Sequence, residues 1–392
     1  MKNRGVPAGG VIRVMIVDDS ALNRAAFTEL IDQDPGLELF AAASDPYDAV
    51  EKMAGDMPDV MLLDLELPRM DGLTFLRKIM AQNPIPVIVC SGHVNNAGDI
   101  RIRALELGAI EVLGKPDYSS PQNWIRSKTS IANALRAAVN SRLGRRQRRG
   151  GGMVVANRMT GFDDRPCKPQ VQAVNPIHTA PNGKLTADVV LPYQPPRAAG
   201  KSQPVIAIGA STGGTEALGH LIGALPADAP AILIVQHMPR EFTGAFATRL
   251  NGLSRVTVRE AGNGDVLQRG LVLIAPGDHH MMLRCSAQGY WTEVMQGPFV
   301  SRHRPSVDVL FRSVAQSAAQ NALGIILTGM GDDGVAGLGE MRATGARTLA
   351  QDEASSVVYG MPREAMRRGA AMSELPLDRM LGEIIAWDMA AR

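Results

Sequence analysis

Residues 205–214 read Val-Ile-Ala-Ile-Gly-Ala-Ser-Thr-Gly-Gly. The apolar run 205–208, rich in β-branched residues, predicts a buried strand. From Thr215 onward apolar residues recur at helical spacing, at Leu218, Leu221, Ile222 and Leu225. Ser211 therefore falls on a tight strand-to-helix turn. Gly209-Ala-Ser211-Thr-Gly213 fits the G-x-S-x-G elbow, in which flanking glycines permit a strained turn that exposes the serine hydroxyl. Unpaired backbone N–H groups at the helix start would face a developing negative charge. The same stretch also suits a phosphate-binding loop, or a plain glycine-rich turn, and does not by itself choose among the three.

A serine is a poor nucleophile unless an imidazole takes its proton, and the imidazole needs a carboxylate to set its tautomer. His237 follows a predicted strand at 231–236. Asp333 follows another at 323–327, within Thr328-Gly-Met330-Gly-Asp332-Asp333-Gly334. All three residues thus lie past strand C-termini and can converge on one sheet edge. Their chain order, Ser-His-Asp, is not the Ser-Asp-His order of α/β-hydrolases. Adjacent His279 and His280 suggest metal only weakly, because neighbours on a strand point apart and no third ligand stands out. His303, between Arg302 and Arg304, fits an acidic substrate region or a structural turn equally well.

A second group of reactive residues lies near the N-terminus. Asp18, Asp19, Asp64, Ser91 and Lys115 all sit at or just beyond predicted strand ends. Three carboxylates at one edge repel one another unless a cation joins them, and a hard, oxygen-seeking ion such as Mg²⁺ suits them. Lys115 can neutralise a phosphoryl group, and Ser91 can hydrogen-bond one of its oxygens. A single aspartate there would be an ordinary helix cap, but five polar residues on one edge make a site.

The elements that must position these groups alternate. Strands are predicted at 11–17, 37–43, 60–63, 87–90 and 110–113, with helical patterns between them and a last helix carrying Trp124, Ile131, Leu135 and Val139 on one face. This rhythm implies a five-stranded, doubly wound parallel sheet over 11–140. It resumes at 205, with further strands at 255–259 and 271–275 and a β-excursion at 280–283 and 291–295. Helices are expected at 306–318, 335–343 and 361–368, giving a second doubly wound α/β domain over 204–389 with a mainly parallel sheet. Residues 141–203 read as a flexible linker, opening with Arg142, Arg145, Arg146, Arg148 and Arg149 and continuing rich in Pro, Gly and Asn.

Composition narrows the function classes. A chain of 392 residues with 45% hydrophobic and 20% charged residues is ordinary for a globular protein. A net charge of +2 and 4% aromatic residues argue against a nucleic-acid partner. No apolar run approaches the ~20 residues that span a bilayer, so no membrane insertion is expected. Three widely spaced cysteines, Cys90, Cys167 and Cys285, suit a reducing cytoplasm.

The Asp18-Asp19 pair, Leu62-Leu-Asp64-Leu-Glu66-Leu-Pro68-Arg-Met-Asp71-Gly72, Ser91 and Lys115-Pro116 resemble a response-regulator receiver domain. The resemblance implies a flavodoxin-like fold and phosphorylation of Asp64 by a histidine kinase. It also implies Mg²⁺ held by Asp19, Asp64 and the Glu66 carbonyl, with Asp18 acting through water. Val112 stands where receivers often carry an aromatic switch residue.

The second domain resembles the catalytic domain of the chemotaxis protein-glutamate methylesterase family, CheB. The residues that carry this are Ile208-Gly-Ala-Ser211-Thr212-Gly-Gly214, Gln236-His237-Met238-Pro239, Ile274-Ala-Pro-Gly-Asp-His-His280, Ser301-Arg-His303-Arg-Pro-Ser-Val-Asp308 and Leu327-Thr-Gly-Met330-Gly-Asp-Asp333-Gly334. Ser301 stands where the family often has asparagine. The resemblance implies hydrolysis of γ-glutamyl methyl esters, and deamidation of specific glutamines, on methyl-accepting chemoreceptors. Ser211 would be nucleophile, His237 base and Asp333, rather than Asp332, the orienting carboxylate. Backbone N–H groups near Met330 and Ser211 would hold the oxyanion, Thr212 would add a hydroxyl contact, and no cofactor is expected in the esterase site. The receiver would gate the Ser211 edge until Asp64 is phosphorylated. The rival expectations are a non-catalytic, phosphorylation-controlled binding module and a DNA-binding regulator, the latter disfavoured by the absence of a basic helical output.

Overall fold

The computed structural model describes residues 10–92, 97–116, 118, 120–141, 184–195 and 203–391. The arginine cluster at 142–149 and most of the predicted linker lie outside the described residues.

The first domain runs β1 (Ile12–Val17), α1 (Ala21–Asp32), β2 (Leu37–Ala43), α2 (Pro46–Lys52), β3 (Val60–Leu63), α3 (Gly72–Gln82), β4 (Val87–Ser91), α4 (Ala97–Glu106), β5 (Glu111–Gly114) and α5 (Pro121–Val139). Its five strands are parallel in the order β2-β1-β3-β4-β5. The order reverses at β1, so a crevice opens past the C-termini of β1 and β3. Asp18 and Asp64 leave the sheet there. The central strands β3 and β4 are buried along their whole length, as expected of a parallel sheet with helices on both faces.

The second domain contains β6 (Val205–Ala210), α6 (Gly214–Gly223), β7 (Ala231–Gln236), α7 (Arg240–Leu253), β8 (Thr257–Glu260) and β9 (Leu271–Ile274). It continues with β10 (His280–Ser286), β11 (Gly289–Met295), α8 (Val307–Ala318), β12 (Ala322–Ile326), α9 (Val335–Ala343), β13 (Arg347–Gln351), α10 (Met361–Arg367), β14 (Ser373–Leu375) and α11 (Leu377–Ala391). Seven strands form one sheet in the order β14-β13-β12-β6-β7-β9-β8. Every pairing in it is parallel, and β10 and β11 form a separate antiparallel hairpin. β6 is central, and its period-2 alternation feeds two cores. Val205 and Ala207 face Phe311 and Leu310, while Ile206 and Ile208 face Leu221 and Phe246.

Two expectations change in detail. Gly209 lies within β6 rather than in the turn, and a Cβ there would meet Val307 Cγ1 at 2.2 Å. Its glycine therefore lets α8 pack directly on the strand, while the turn's left-handed residue is Gly213, with φ of 80°. Residues 184–195, read from the sequence as linker, are built into the second domain. Ala187 and Leu191 are buried with Met282, Val300 and Val309. Buried Arg312 bridges Asp188 at 2.8 Å and Glu340 at 2.6 Å, and Lys184 pairs with Asp332.

The N-terminus of α8 fixes the carboxylate on which the site is built. The Val307 and Asp308 amides donate to Asp333 Oδ2 and Oδ1 at 2.8 and 3.1 Å, and Ser306 Oγ donates to Oδ1 at 2.7 Å. Free helix N-terminal amides and the helix dipole both favour an anion there. Burial opposes charge on Asp333, but its hydrogen bond to His237, the nearby imidazoles and Ser306 outweigh that and hold it well below the usual carboxylate range. Neighbouring Asp308 goes the other way. Burial, then the Asp333 charge, push it up to about 8. It accepts from the Gly337 amide at 2.9 Å and bonds Ser301 Oγ at 3.0 Å. One carboxylate of this pair is ionised and the other carries a proton.

A stability prediction follows from the sign of that shift. Between about pH 4 and pH 8 folded Asp308 keeps a proton that the unfolded chain has released, so its contribution falls as pH rises through that window. Asp308→Asn keeps the shape and has no proton to lose. Thermal melts at pH 5 and pH 8.5 should show the variant gaining on the parent by on the order of 5 °C at the higher pH. A pH-independent difference would contradict a protonated Asp308.

Candidate active site

β6 and β7 are adjacent and in register, with Ala210 opposite Gln236, so the residues that follow them, Ser211 and His237, leave the same sheet edge side by side. β12 flanks β6 on the other side and delivers the loop that carries Met330 and Asp333. His237 Nε2 lies 2.8 Å from Asp333 Oδ2. Since the carboxylate is an acceptor, Nε2 carries the proton and Nδ1 is left as the basic nitrogen. His237 Nδ1 is buried and has no partner among the described residues. Ser211 is nearly buried, at 9% exposure. No hydrogen bond joins Ser211 Oγ to His237 in this state, a looseness common in substrate-free sites. Asp332 points elsewhere, to Lys184 and Arg368.

Backbone amides near Ser211 and Met330 are the candidate oxyanion donors. The Ser211 amide donates to Thr328 O at 3.0 Å and is committed to the sheet edge. The amides of Thr212 and Met330 donate to no group among the described residues, which leaves them as backbone donors at the elbow and on the facing loop.

Sequence reasoning missed two supporting residues. Gln236 is buried, and its Nε2 donates to the Ser211 carbonyl at 2.9 Å and the His237 carbonyl at 3.2 Å. One amide thus ties the elbow to the base. Its position at the end of β7, beside His237, was the available signal. His303 stacks on His237 with ring centroids 3.7 Å apart and planes 3° from parallel, and its Nδ1 lies 3.9 Å from Asp333 Oδ2. Left-handed Ser301 and Arg302 turn the loop that delivers it. Burial, then the His237 charge, push His303 down to about 3, so the ring stays neutral. Neither an acidic-substrate contact nor a simple turn describes it.

Ligand atoms of His237, His303 and Asp333 lie within 4.8 Å of one another. Imidazole lone pairs lie in the ring plane, so two stacked parallel rings do not aim them at one ion. His280 is also structural. It is fully buried, with Nε2 bonded to Pro298 O at 2.9 Å and Nδ1 accepting from the Ser306 amide at 3.3 Å.

In the first domain Asp18, Asp19 and Asp64 bring carboxylate oxygens within 4.8 Å of one another, a cluster consistent with a Mg²⁺ site. Asp18 and Asp64 are buried, Asp19 is exposed, and Ser91 is buried at the end of β4. Lys115 Nζ lies 2.6 Å from Asp64 Oδ2 and 3.7 Å from Asp18 Oδ2. Burial raises the Asp64 carboxyl despite the Lys115 bond. On Lys115, burial works against the charge, but the Asp64 bond and the Asp64, Asp18 and Asp19 charges prevail and raise its pKa. The Glu66 amide donates to Asp64 Oδ1 at 3.3 Å.

The two domains meet over the serine. Leu105, Ile110, Glu111 and Val112 of the first domain line a cavity whose other wall includes Ser211, Thr212 and His237. Thr212 Oγ1 donates to Glu111 Oε2 at 2.8 Å. Arg249 of α7 pairs with Glu106 of α4 at 2.7 Å. Val112 therefore sits at the interface.

No helix of the described residues is long and apolar enough to cross a membrane. Residues 14–121 match the response regulator receiver domain and residues 206–384 the CheB methylesterase family. The chain is 51% identical to protein-glutamate methylesterase/protein-glutamine glutaminase 2 of Rhodospirillum rubrum, over 95% of this chain and 98% of that one. It is 50% identical to protein-glutamate methylesterase/protein-glutamine glutaminase 5 of Anaeromyxobacter dehalogenans, over 95% of this chain and 96% of that one. Among solved structures, the catalytic domain of Thermotoga maritima CheB methylesterase matches at 35% identity and a TM-score of 0.47, over 47% of this chain and 99% of that one. With a receiver domain ahead of a parallel α/β hydrolase domain, and this identity along nearly its whole length, the chain belongs to the CheB family of protein-glutamate methylesterases/protein-glutamine glutaminases.

Proposed function

We propose that Ser211, His237 and Asp333 carry out the hydrolysis and that phosphorylation of Asp64 controls access to them. The observation that supports this most is the His237–Asp333 hydrogen bond of 2.8 Å, which leaves Nδ1 unpaired, on a residue that leaves the same sheet edge as Ser211. Ser211 Oγ attacks the γ-carbonyl carbon of a glutamyl methyl ester while His237 Nδ1 takes its proton. The Met330 and Thr212 amides receive the oxyanion. The C–O bond to the methoxy group breaks, and methanol leaves with the proton from His237. Water then gives a proton to Nδ1 and attacks the acyl carbon, freeing Ser211 and a carboxylate. A glutamine side chain follows the same path with ammonia as the leaving group. Asp333 stays ionised and offsets the imidazolium charge that forms twice in the cycle.

On the receiver, Asp18, Asp19 and Asp64, with the Glu66 carbonyl, would hold Mg²⁺. The ion would supply positive charge at the carboxylate and phosphoryl oxygens. Ser91 and Lys115 would receive the phosphoryl group. Lys115 ends its 2.6 Å contact with a bare Asp64 oxygen when that oxygen is esterified. Ser91 closes β4, and Lys115 follows β5, whose first residues Glu111 and Val112 touch the catalytic domain. The phosphoryl site and the interface thus share elements, which suits a population shift from a covered to an open arrangement. The substrates are methyl-accepting chemoreceptors, the phosphodonor is their histidine kinase, and the protein works in the cytoplasm. The receiver occupies 11–140 and the catalytic unit 204–389, with 184–195 packed on the latter.

Ser211→Ala should lower methanol release from methylated receptor by about four to six orders of magnitude, with the circular dichroism spectrum unchanged. Retained turnover would remove Ser211 as nucleophile. Asp64→Asn, or chelation of Mg²⁺, should abolish stimulation by a small-molecule phosphodonor and leave the basal rate intact; stimulation that survives both would place control elsewhere. A fragment of residues 184–392, which keeps the Arg312 and Lys184 contacts, should hydrolyse the ester at the stimulated rate with no phosphodonor. A folded but inactive fragment would count against control by covering.

A further inference from the structure

Glu111 is unusual for its place. It opens β5, and its carboxyl reaches across the domain boundary into the cavity that holds Ser211 and His237. Its one hydrogen-bond partner among the described residues is Thr212 Oγ1, at 2.8 Å. Leu105 and Val112 on its own side and Met238 and Phe242 opposite form the apolar part of that cavity. Arg249, a cation lining the same cavity, pairs with Glu106 instead. Burial raises the Glu111 carboxyl above its ordinary range, against the Thr212 bond and the His237 charge. A carboxyl in such a place is costly, and docking alone would be served better by an apolar side chain or a paired charge. The choice of residue makes sense by shape and chemistry. The enzyme's product is a glutamate side chain, and a glutamate side chain lies beside the serine.

We propose that Glu111 is a tethered mimic of the product, occupying the subsite for the substrate's γ-carbonyl group, and that Thr212 Oγ1 is the side-chain donor which holds an oxygen of that group. This rests on Ser211 as nucleophile, as argued above. The receiver then inhibits by competition as well as by cover. Because Glu111 is carried on the same chain, its effective concentration at the subsite is high until the receiver moves away. Thr212 acquires a role in binding the substrate, which the hydroxyl performs for Glu111 in the closed state and for the receptor's glutamyl group in the open one.

The test uses the full chain without phosphodonor. Glu111→Gln places an amide where the reaction begins. Ser211 should attack it, release ammonia and, after water addition, leave glutamate, so that the chain gains about one mass unit at residue 111. Peptide mapping by mass spectrometry should show this conversion in Glu111→Gln and not in the Glu111→Gln/Ser211→Ala double variant. Glu111→Ala should raise basal methanol release from methylated receptor by roughly five- to tenfold, the loss of one hydrogen-bonded competitor, and leave the phosphorylated rate unchanged. If the amide introduced by Glu111→Gln remains intact in a chain that still demethylates receptor, the subsite assignment is overturned while Ser211 stands as nucleophile. An unaltered basal rate in Glu111→Ala would overturn the inhibitory role. Conversion of that amide in the Ser211→Ala background would instead count against the Ser211 reading itself.

Discussion

The catalytic domain is organised around a buried anion, Asp333. Placing a carboxylate in an apolar core is expensive unless donors surround it, and here the N-terminus of α8 supplies two amides and Ser306 a hydroxyl. The remaining acceptor capacity of Oδ2 goes to His237. The helix therefore sets the carboxylate, and the carboxylate sets the imidazole tautomer and so which nitrogen is left basic. Other features serve this order. Gly209 admits Val307 against β6, protonated Asp308 avoids a second negative charge beside the first, and Gln236 fixes the serine and histidine backbones relative to each other.

The receiver's site obeys the same electrostatics in the opposite sense. Its carboxylates crowd together beside one lysine, an arrangement consistent with a Mg²⁺ site. In the hydrolase the charge is fixed in advance and held by buried donors. What links the two is β5, a short strand with Lys115 just beyond one end and Glu111 at the other. That strand connects the lysine that pairs with Asp64 to a side chain that touches Thr212.

Much of this was legible in the sequence, for a physical reason. In parallel sheets functional residues leave the C-terminal ends of strands, so Ser211, His237, Asp333, Asp18, Asp64 and Lys115 could be placed once the apolar runs were found. The less legible parts depend on contacts between distant segments. Nothing in the local pattern around His303 indicates that its ring would lie flat on His237, because irregular loops have no period to read. Which amide near Ser211 is free could not be read locally, because the Ser211 amide pairs with Thr328, just past β12. β13 and β14 are short and partly polar, and the sequence did not announce them. Residues 184–195 read as linker by composition, yet Asp188, Ala187 and Leu191 meet partners far along the chain, such as Arg312 and Met282. No sequence pattern marks Glu111, because its environment is made by the other domain.

The claim on which the rest depends is that Asp333 holds His237 with its proton on Nε2 and its bare nitrogen, Nδ1, toward Ser211. Nitrogen-15 NMR of the labelled chain at about pH 9, where an imidazole is neutral, reads this directly. The account predicts that neutral His237 is the Nε2–H tautomer, with Nδ1 unprotonated, and that Asp333→Asn weakens the preference. A neutral His237 that carries its proton on Nδ1 would contradict it.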